Sequence, residues 1–66
     1  MFGLVGVDGN AFSVMGYTKN AMKKCGFSKN EQADYLQKAM SGDYDNLLAV
    51  SLNVLDECNR RCPDSI

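Results

Sequence analysis

Histidine is absent from this 66-residue sequence. The side chain most used as a general base near neutral pH and as a metal ligand is therefore missing, and with it every Ser-His or Cys-His nucleophile pair. Carboxylate pairs remain: Asp43 with Asp45, and Asp56 with Glu57. The first sits where a helix would start and reads as capping; the second reads as solvated surface. No catalytic residue is assigned and no enzyme is expected. Long apolar runs are missing too, since none approaches the roughly 18 residues of a transmembrane helix. Phe2 to Val7 is too short for the apolar core of a signal peptide and lacks a basic flank.

Cysteine is sparse and odd in number: Cys25, Cys58 and Cys62. Small secreted scaffolds carry an even set at higher density. The expectation is a reduced, cytoplasmic protein, with Cys25 a core thiol and Cys58 and Cys62 free thiols near the end of the chain. A structural zinc site wants four ligands, and only a carboxylate could join the three cysteines. A calcium loop fails at its twelfth position, which is Val54 counted from Asp43 and Lys19 counted from Asp8. No metal and no cofactor is expected.

Strong net charge is also lacking. The formal charge is -1, which gives no bulk field for nucleic acid or an anionic membrane. A hydrophobic share of 45% and a charged share of 23% lie near globular averages and do not indicate disorder. A chain this short is one domain that buries only about 60% of its unfolded surface. So thin a core leaves little room to enclose a small-molecule substrate. Size favours a binding module over an enzyme.

What is present is helical. After an apolar run FGLVGV at residues 2–7, Asp8-Gly9-Asn10 is turn chemistry, and either Asp8 or Asn10 can cap a helix starting at Ala11. The run is an extended arm laid over the helices or an open edge that pairs with a second chain. Ala11, Met15, Met22 and Cys25 recur at helical spacing, flanked by Phe12 and Val14, and predict a first helix from Ala11 to Lys24. Lys23 and Lys24 suit its C-terminal dipole, and Gly26 suits the position just past its end. Gly16, inside this helix, costs about 1 kcal/mol relative to alanine; close packing of a neighbour would explain it.

Ser28-Lys29-Asn30-Glu31 is a capping box that opens a second helix. Its expected inner stripe is Ala33, Leu36 and Met40, with Tyr35 and Ala39 beside it, and it stops at Ser41-Gly42. Asp43 caps a third helix from Tyr44 to about Asn59, with Asp45 in its first turn. Tyr44, Leu47, Leu48, Ser51, Leu52 and Leu55 form one wide stripe. Arg60, Arg61 and Pro63 end the helix. The expected fold is all-α: a compact three-helix bundle in one domain spanning 1–66, with a short extended N-terminal arm at 1–9 and a frayed tail at 62–66.

Lys19, Lys23, Lys24 and Lys29 make a basic face, and helix–turn–helix connectivity invites a nucleic-acid reading. The pattern misfits. With Gly26 as the turn glycine, the buried position six residues on is Gln32, the apolar residue comes one late at Ala33, and acidic Asp34 lies on the would-be recognition helix.

Two resemblances join these readings. Cys25-Gly26-Phe27 and the helices after it resemble a ubiquitin-associated domain, whose first helix ends in a Met-Gly-Phe or Met-Gly-Tyr loop; here cysteine replaces methionine. Gly42-Asp43-Tyr44-Asp45 resembles that family's entry to its third helix. Over about 40 residues this resemblance implies a three-helix fold, with a binding surface at Gly26, Phe27, Leu52 and Leu55. The chain also resembles a set of small uncharacterised bacterial or phage-encoded proteins. It does so through Asp8-Gly9-Asn10-Ala11-Phe12 and through the run from Ser41 to Leu48, SGDYDNLL. That resemblance implies origin and fold, and no activity.

Apolar surface exceeds what one small core needs, so the functional expectation is a non-catalytic protein-protein interaction module. Its partner is another protein, or a second copy of the chain, through Gly26, Phe27, Tyr44, Leu52 and Leu55. The alternative is a nucleic-acid-binding accessory protein using the lysine face. No membrane partner is expected.

Overall fold

A computed structural model describes residues 3–4 and 6–62. Three helices form, α1 (Ala11–Lys24), α2 (Lys29–Ala39) and α3 (Tyr44–Arg61), and the described residues contain no strand. Each start is fixed by a side chain that satisfies backbone N–H groups left unpaired in the first turn. Asn10 Oδ1 accepts from the Phe12 N–H at 2.8 Å, while Asp8 Oδ1 accepts from the Asn10 N–H at 3.2 Å. Of the two candidates, Asn10 is the cap of α1, and Asp8 holds the turn that leads into it. The capping box of α2 is complete, with Glu31 N–H donating to Ser28 Oγ at 3.1 Å and Ser28 N–H donating to Glu31 Oε1 at 2.9 Å. Asp43 Oδ1 accepts from the Asn46 N–H at 2.9 Å to start α3.

The α1–α2 connection is a Schellman turn. Phe27 N–H donates to Met22 O at 2.9 Å and Gly26 N–H to Lys23 O at 3.2 Å. That geometry needs a left-handed residue past the cap, and Gly26 supplies it at φ 81°. Gly42 meets a different demand. A Cβ there would stand 2.9 Å from Asn46 Cβ, and the Asn46 amide donates to Lys38 O across the α2–α3 turn.

The core comprises Val14, Ala21 and Met22 of α1, Tyr35 and Ala39 of α2, and Leu47, Leu55 and Cys58 of α3. Two buried hydroxyls are satisfied: Thr18 Oγ1 donates to Val14 O at 2.9 Å, and Tyr35 and Ser51 share a 2.7 Å hydrogen bond. α3 packs against both other helices, whereas α1 and α2 meet least. In the arm, Leu4 and Val7 pack against the core, Gly3 N–H donates to the Tyr17 hydroxyl, and a turn closes from Val7 N–H to Leu4 O. The described arm residues thus lie over the helices; Phe2 and Val5 fall outside the described residues. The radius of gyration, 10.8 Å, is that of a packed chain of this length, about 11 Å.

Three expectations are corrected. The inner face of α2 is Tyr35 and Ala39; Ala33 and Met40 are exposed and Leu36 is half-buried. Tyr35 can turn inward because Ser51 satisfies its hydroxyl, and Ala39 is small enough for close approach. α3 runs to Arg61, two residues beyond Asn59. Finally, Cys25 and Cys62 are not free thiols. They form a disulfide, with Cα atoms 5.8 Å apart, which ties the end of α3 to the end of α1. Cys62 is therefore anchored, and the rest of the expected frayed tail, 63–66, lies outside the described residues. Only Cys58 is a free thiol among the described residues. The reading of a reducing compartment rested on three free thiols and loses that support.

Candidate functional site

The rotation of α2 has a surface consequence. Of its Ala33–Leu36–Met40 stripe, apolar enough to read as core, Ala33 and Met40 stand in solvent and Leu36 packs only partly against the core. Ala33 and Leu36, with one side of α1, border a groove of 640 Å³ between the two helices. From α1 come Gly16, Lys19, Asn20 and Lys23; from α2 come Lys29, Gln32, Ala33 and Leu36. The short 25–28 connection makes α1 and α2 antiparallel neighbours, so Lys23 and Lys29 share one end of the groove. Phe12 lies one turn before Gly16, and Met40 one turn after Leu36, at the opposite end. Both are large apolar side chains left in solvent, Phe12 at 80% and Met40 at 63% exposure.

The groove has a charge character of its own. Among the described residues, no carboxylate lies within ion-pair distance of Lys19, Lys23 or Lys29, and no acidic residue lines the groove. Lys24, one residue on from Lys23 and about 100° around the helix, does not line it. The structure thus brings together three of the four lysines of the basic face. Gly16 sits in this groove with nothing within 4 Å of where a Cβ would be. Among the described residues no packing contact accounts for it.

At the apolar end the two longer sequence motifs meet. The Tyr44 hydroxyl donates to Gly9 O, joining the DGNAF segment to the start of α3. A second depression, of 290 Å³, is lined there by Ala11, Met15, Met40, Tyr44 and Leu47. Phe12, Met40 and Tyr44 therefore lie around the same end of the bundle.

The surface expected from the ubiquitin-associated resemblance is not assembled in one place. Leu55 is 1% exposed and belongs to the core, so it offers nothing to a partner. Leu52, 52% exposed, stands two residues before Val54 and so roughly 160° around α3 from it. Phe27 packs on the Val54 side, in a shallow hollow with Met22, Tyr35 and Val50. The Arg61 guanidinium covers the Phe27 ring at 4.1 Å from its centroid. Gly26 is exposed beside it. At the helix entry, Gln32 donates to Phe27 O at 3.1 Å.

Phe12 and Met40 were absent from the expected site. The signal for Phe12 was its place just off the apolar stripe of α1. For Met40 there was none, because its spacing from Ala33 and Leu36 is that of a core residue.

The C-terminal end of α3 is electrostatically closed. Arg60 pairs with Asp56 at 2.8 Å and Glu57 at 3.0 Å, and Arg61 with Glu57 at 3.1 Å and Glu31 at 3.4 Å. Hydrogen bonds from Arg60 and Arg61 hold the Glu57 carboxyl below the ordinary glutamate range. The Ser28 N–H, followed by the charge of Arg61, does the same for Glu31. Burial pushes the Cys58 thiol up, which makes it a poor nucleophile while the fold is closed.

No family model matches the chain, and neither does any curated protein or solved structure. No helix among the described residues is long and apolar enough to cross a membrane.

Proposed function

We propose that this chain is a non-catalytic protein-protein interaction module that binds its partner through the α1–α2 side of the bundle. The observation that carries this reading is the exposure of Phe12 and Met40, large apolar side chains left in solvent on α1 and at the end of α2, with Ala33 exposed between the helices. A thin-cored domain gains stability from every apolar side chain it buries, and surface left out in a contiguous strip marks partner sites. Tyr44 borders the same end, and Leu52 stands apart on α3. Capture from lysate with and without nuclease tests the reading, with a Phe12→Ser, Met40→Ser variant as control. A protein retained after nuclease and lost with the variant supports it. Equal capture by both chains overturns the site.

A second reading rests on the convergence of Lys19, Lys23 and Lys29 in one groove: nucleic-acid binding, with Lys24 on a neighbouring face. It requires affinity that falls steeply with salt and with lysine-to-glutamine substitution. A gel shift that shows no binding, or binding indifferent to salt, removes it.

A further inference from the structure

We propose that the α1–α2 groove receives an amphipathic helix of a partner protein whose apolar residues and a cluster of carboxylates lie one to two turns apart on the same face. This inference rests on the interaction-module reading and adds the chemistry of the partner. Gly16, Ala33 and Leu36 line the groove's course and Lys23 and Lys29 one end. Exposed Phe12 and Met40 do not line it; they follow one turn beyond Gly16 and Leu36, past its other end. Phe12 to Lys23 spans eleven residues of α1, about 16 Å at the helical rise, which matches three turns of a docked helix. Gly16 is exposed, and no described residue comes within 4 Å of its missing Cβ, so a partner backbone can come close there. Helices recognised in grooves present anchors at such spacing.

Charge complementarity sets the partner's sign. The cations of α2's last turn and of α3's end, Lys38, Arg60 and Arg61, are each paired with carboxylates. Among the described residues the groove lysines have no such partner. A short acidic segment meets only these lysines. A long polyanion would run on over a chain whose formal charge is -1. Among the described residues no aromatic side chain stands beside the lysines, and Phe12 lies past the far end, so the basic stretch offers bases no stacking platform. These features favour a helix of protein over a nucleic-acid strand.

The test is a titration of the intact, oxidised, isotope-labelled chain followed by amide NMR shifts. The probes are two synthetic helical peptides of about 14 residues, four turns. Both carry leucines at i, i+3 and i+4; the later turns hold glutamates in one and lysines in the other. A single-stranded oligothymidylate is the third probe. Expected are shifts at Gly16, Lys19, Lys23, Ala33 and Leu36 with the acidic peptide, and affinity for the basic peptide about tenfold weaker or less. The Lys19→Glu, Lys23→Glu chain should reverse that preference while keeping the wild-type spectrum elsewhere. Equal binding of the two peptides overturns the acidic partner. Oligothymidylate binding in the groove without acidic-peptide binding overturns the helix in favour of a nucleic-acid strand. If neither peptide shifts the groove while Phe12- and Met40-dependent capture persists, this inference falls and the module reading stands. If that capture also fails, both fall.

Discussion

The end of α3 and the α1–α2 groove handle the same residue types in opposite ways. At the end of α3, Arg60 and Arg61 are neutralised by Asp56, Glu57 and Glu31, Arg61 covers Phe27, and a disulfide fastens Cys62 to Cys25. In the groove, lysines stand without acidic partners among the described residues, with exposed Ala33 and half-buried Leu36 beside them. One region is finished within the chain. The other leaves charge and apolar area whose partners must come from outside. Stability should therefore depend on the first region and recognition on the second.

The largest expected effect is on the finished region. Cys62→Ser releases a loop of sequence separation 37, which should cost about 4 kcal/mol by loop-closure entropy. Urea unfolding of wild type with and without reductant should show the same loss. If reductant leaves the midpoint unchanged, the disulfide does not carry that end. Next comes a contrast within α3. Leu55→Ala should cost about 3 kcal/mol as a core cavity, and Leu52→Ala about 0.5 kcal/mol or less. Similar losses for the two would mean that Leu52 is covered in solution.

Gly16→Ala then breaks the comparison from the other side. No neighbour crowds the new methyl, so helix propensity should raise stability by about 1 kcal/mol in thermal or urea unfolding. The same change should weaken the acidic peptide's binding. Unaltered binding would mean that no backbone approaches there. The smallest effect is on pH. Glu31 and Glu57 are held below their ordinary range, so their contribution is complete above the unfolded glutamate pKa. It is lost as pH falls through the lower folded values. Both carboxyls are exposed, so the acid limb is shallow and weakened by salt. Arg61→Ala should flatten it, and Lys19→Glu with Lys23→Glu should leave it as it was.

Much of this was legible in the sequence because helix ends are local. Ser28 with Glu31, Asp43 with Asn46, and Gly26 act within four residues, and the boundaries of α1 and the starts of α2 and α3 rest on such short-range contacts. Which side of α2 turns inward was not legible. Ala33, Leu36 and Met40 are more apolar than Tyr35 and Ala39 together, and only the Ser51 hydroxyl, sixteen residues on, makes Tyr35 acceptable in the core. The disulfide was equally hidden, since no spacing between Cys25 and Cys62 announces that α1 and α3 end side by side. The lysine face was visible as a run of residues. Its separation into three groove lysines and Lys24 required the relative placement of two helices.

The solitary thiol of Cys58 gives this small protein a chemical clock. It lies at 0% exposure, and the disulfide removes the other two sulfurs from reaction with thiol reagents. A reagent can reach it only while α3 is lifted from its neighbours. Labelling kinetics in native buffer therefore count those openings directly. Slower labelling with a helix seated in the groove would time how far occupancy on one side of the bundle restrains breathing on the other.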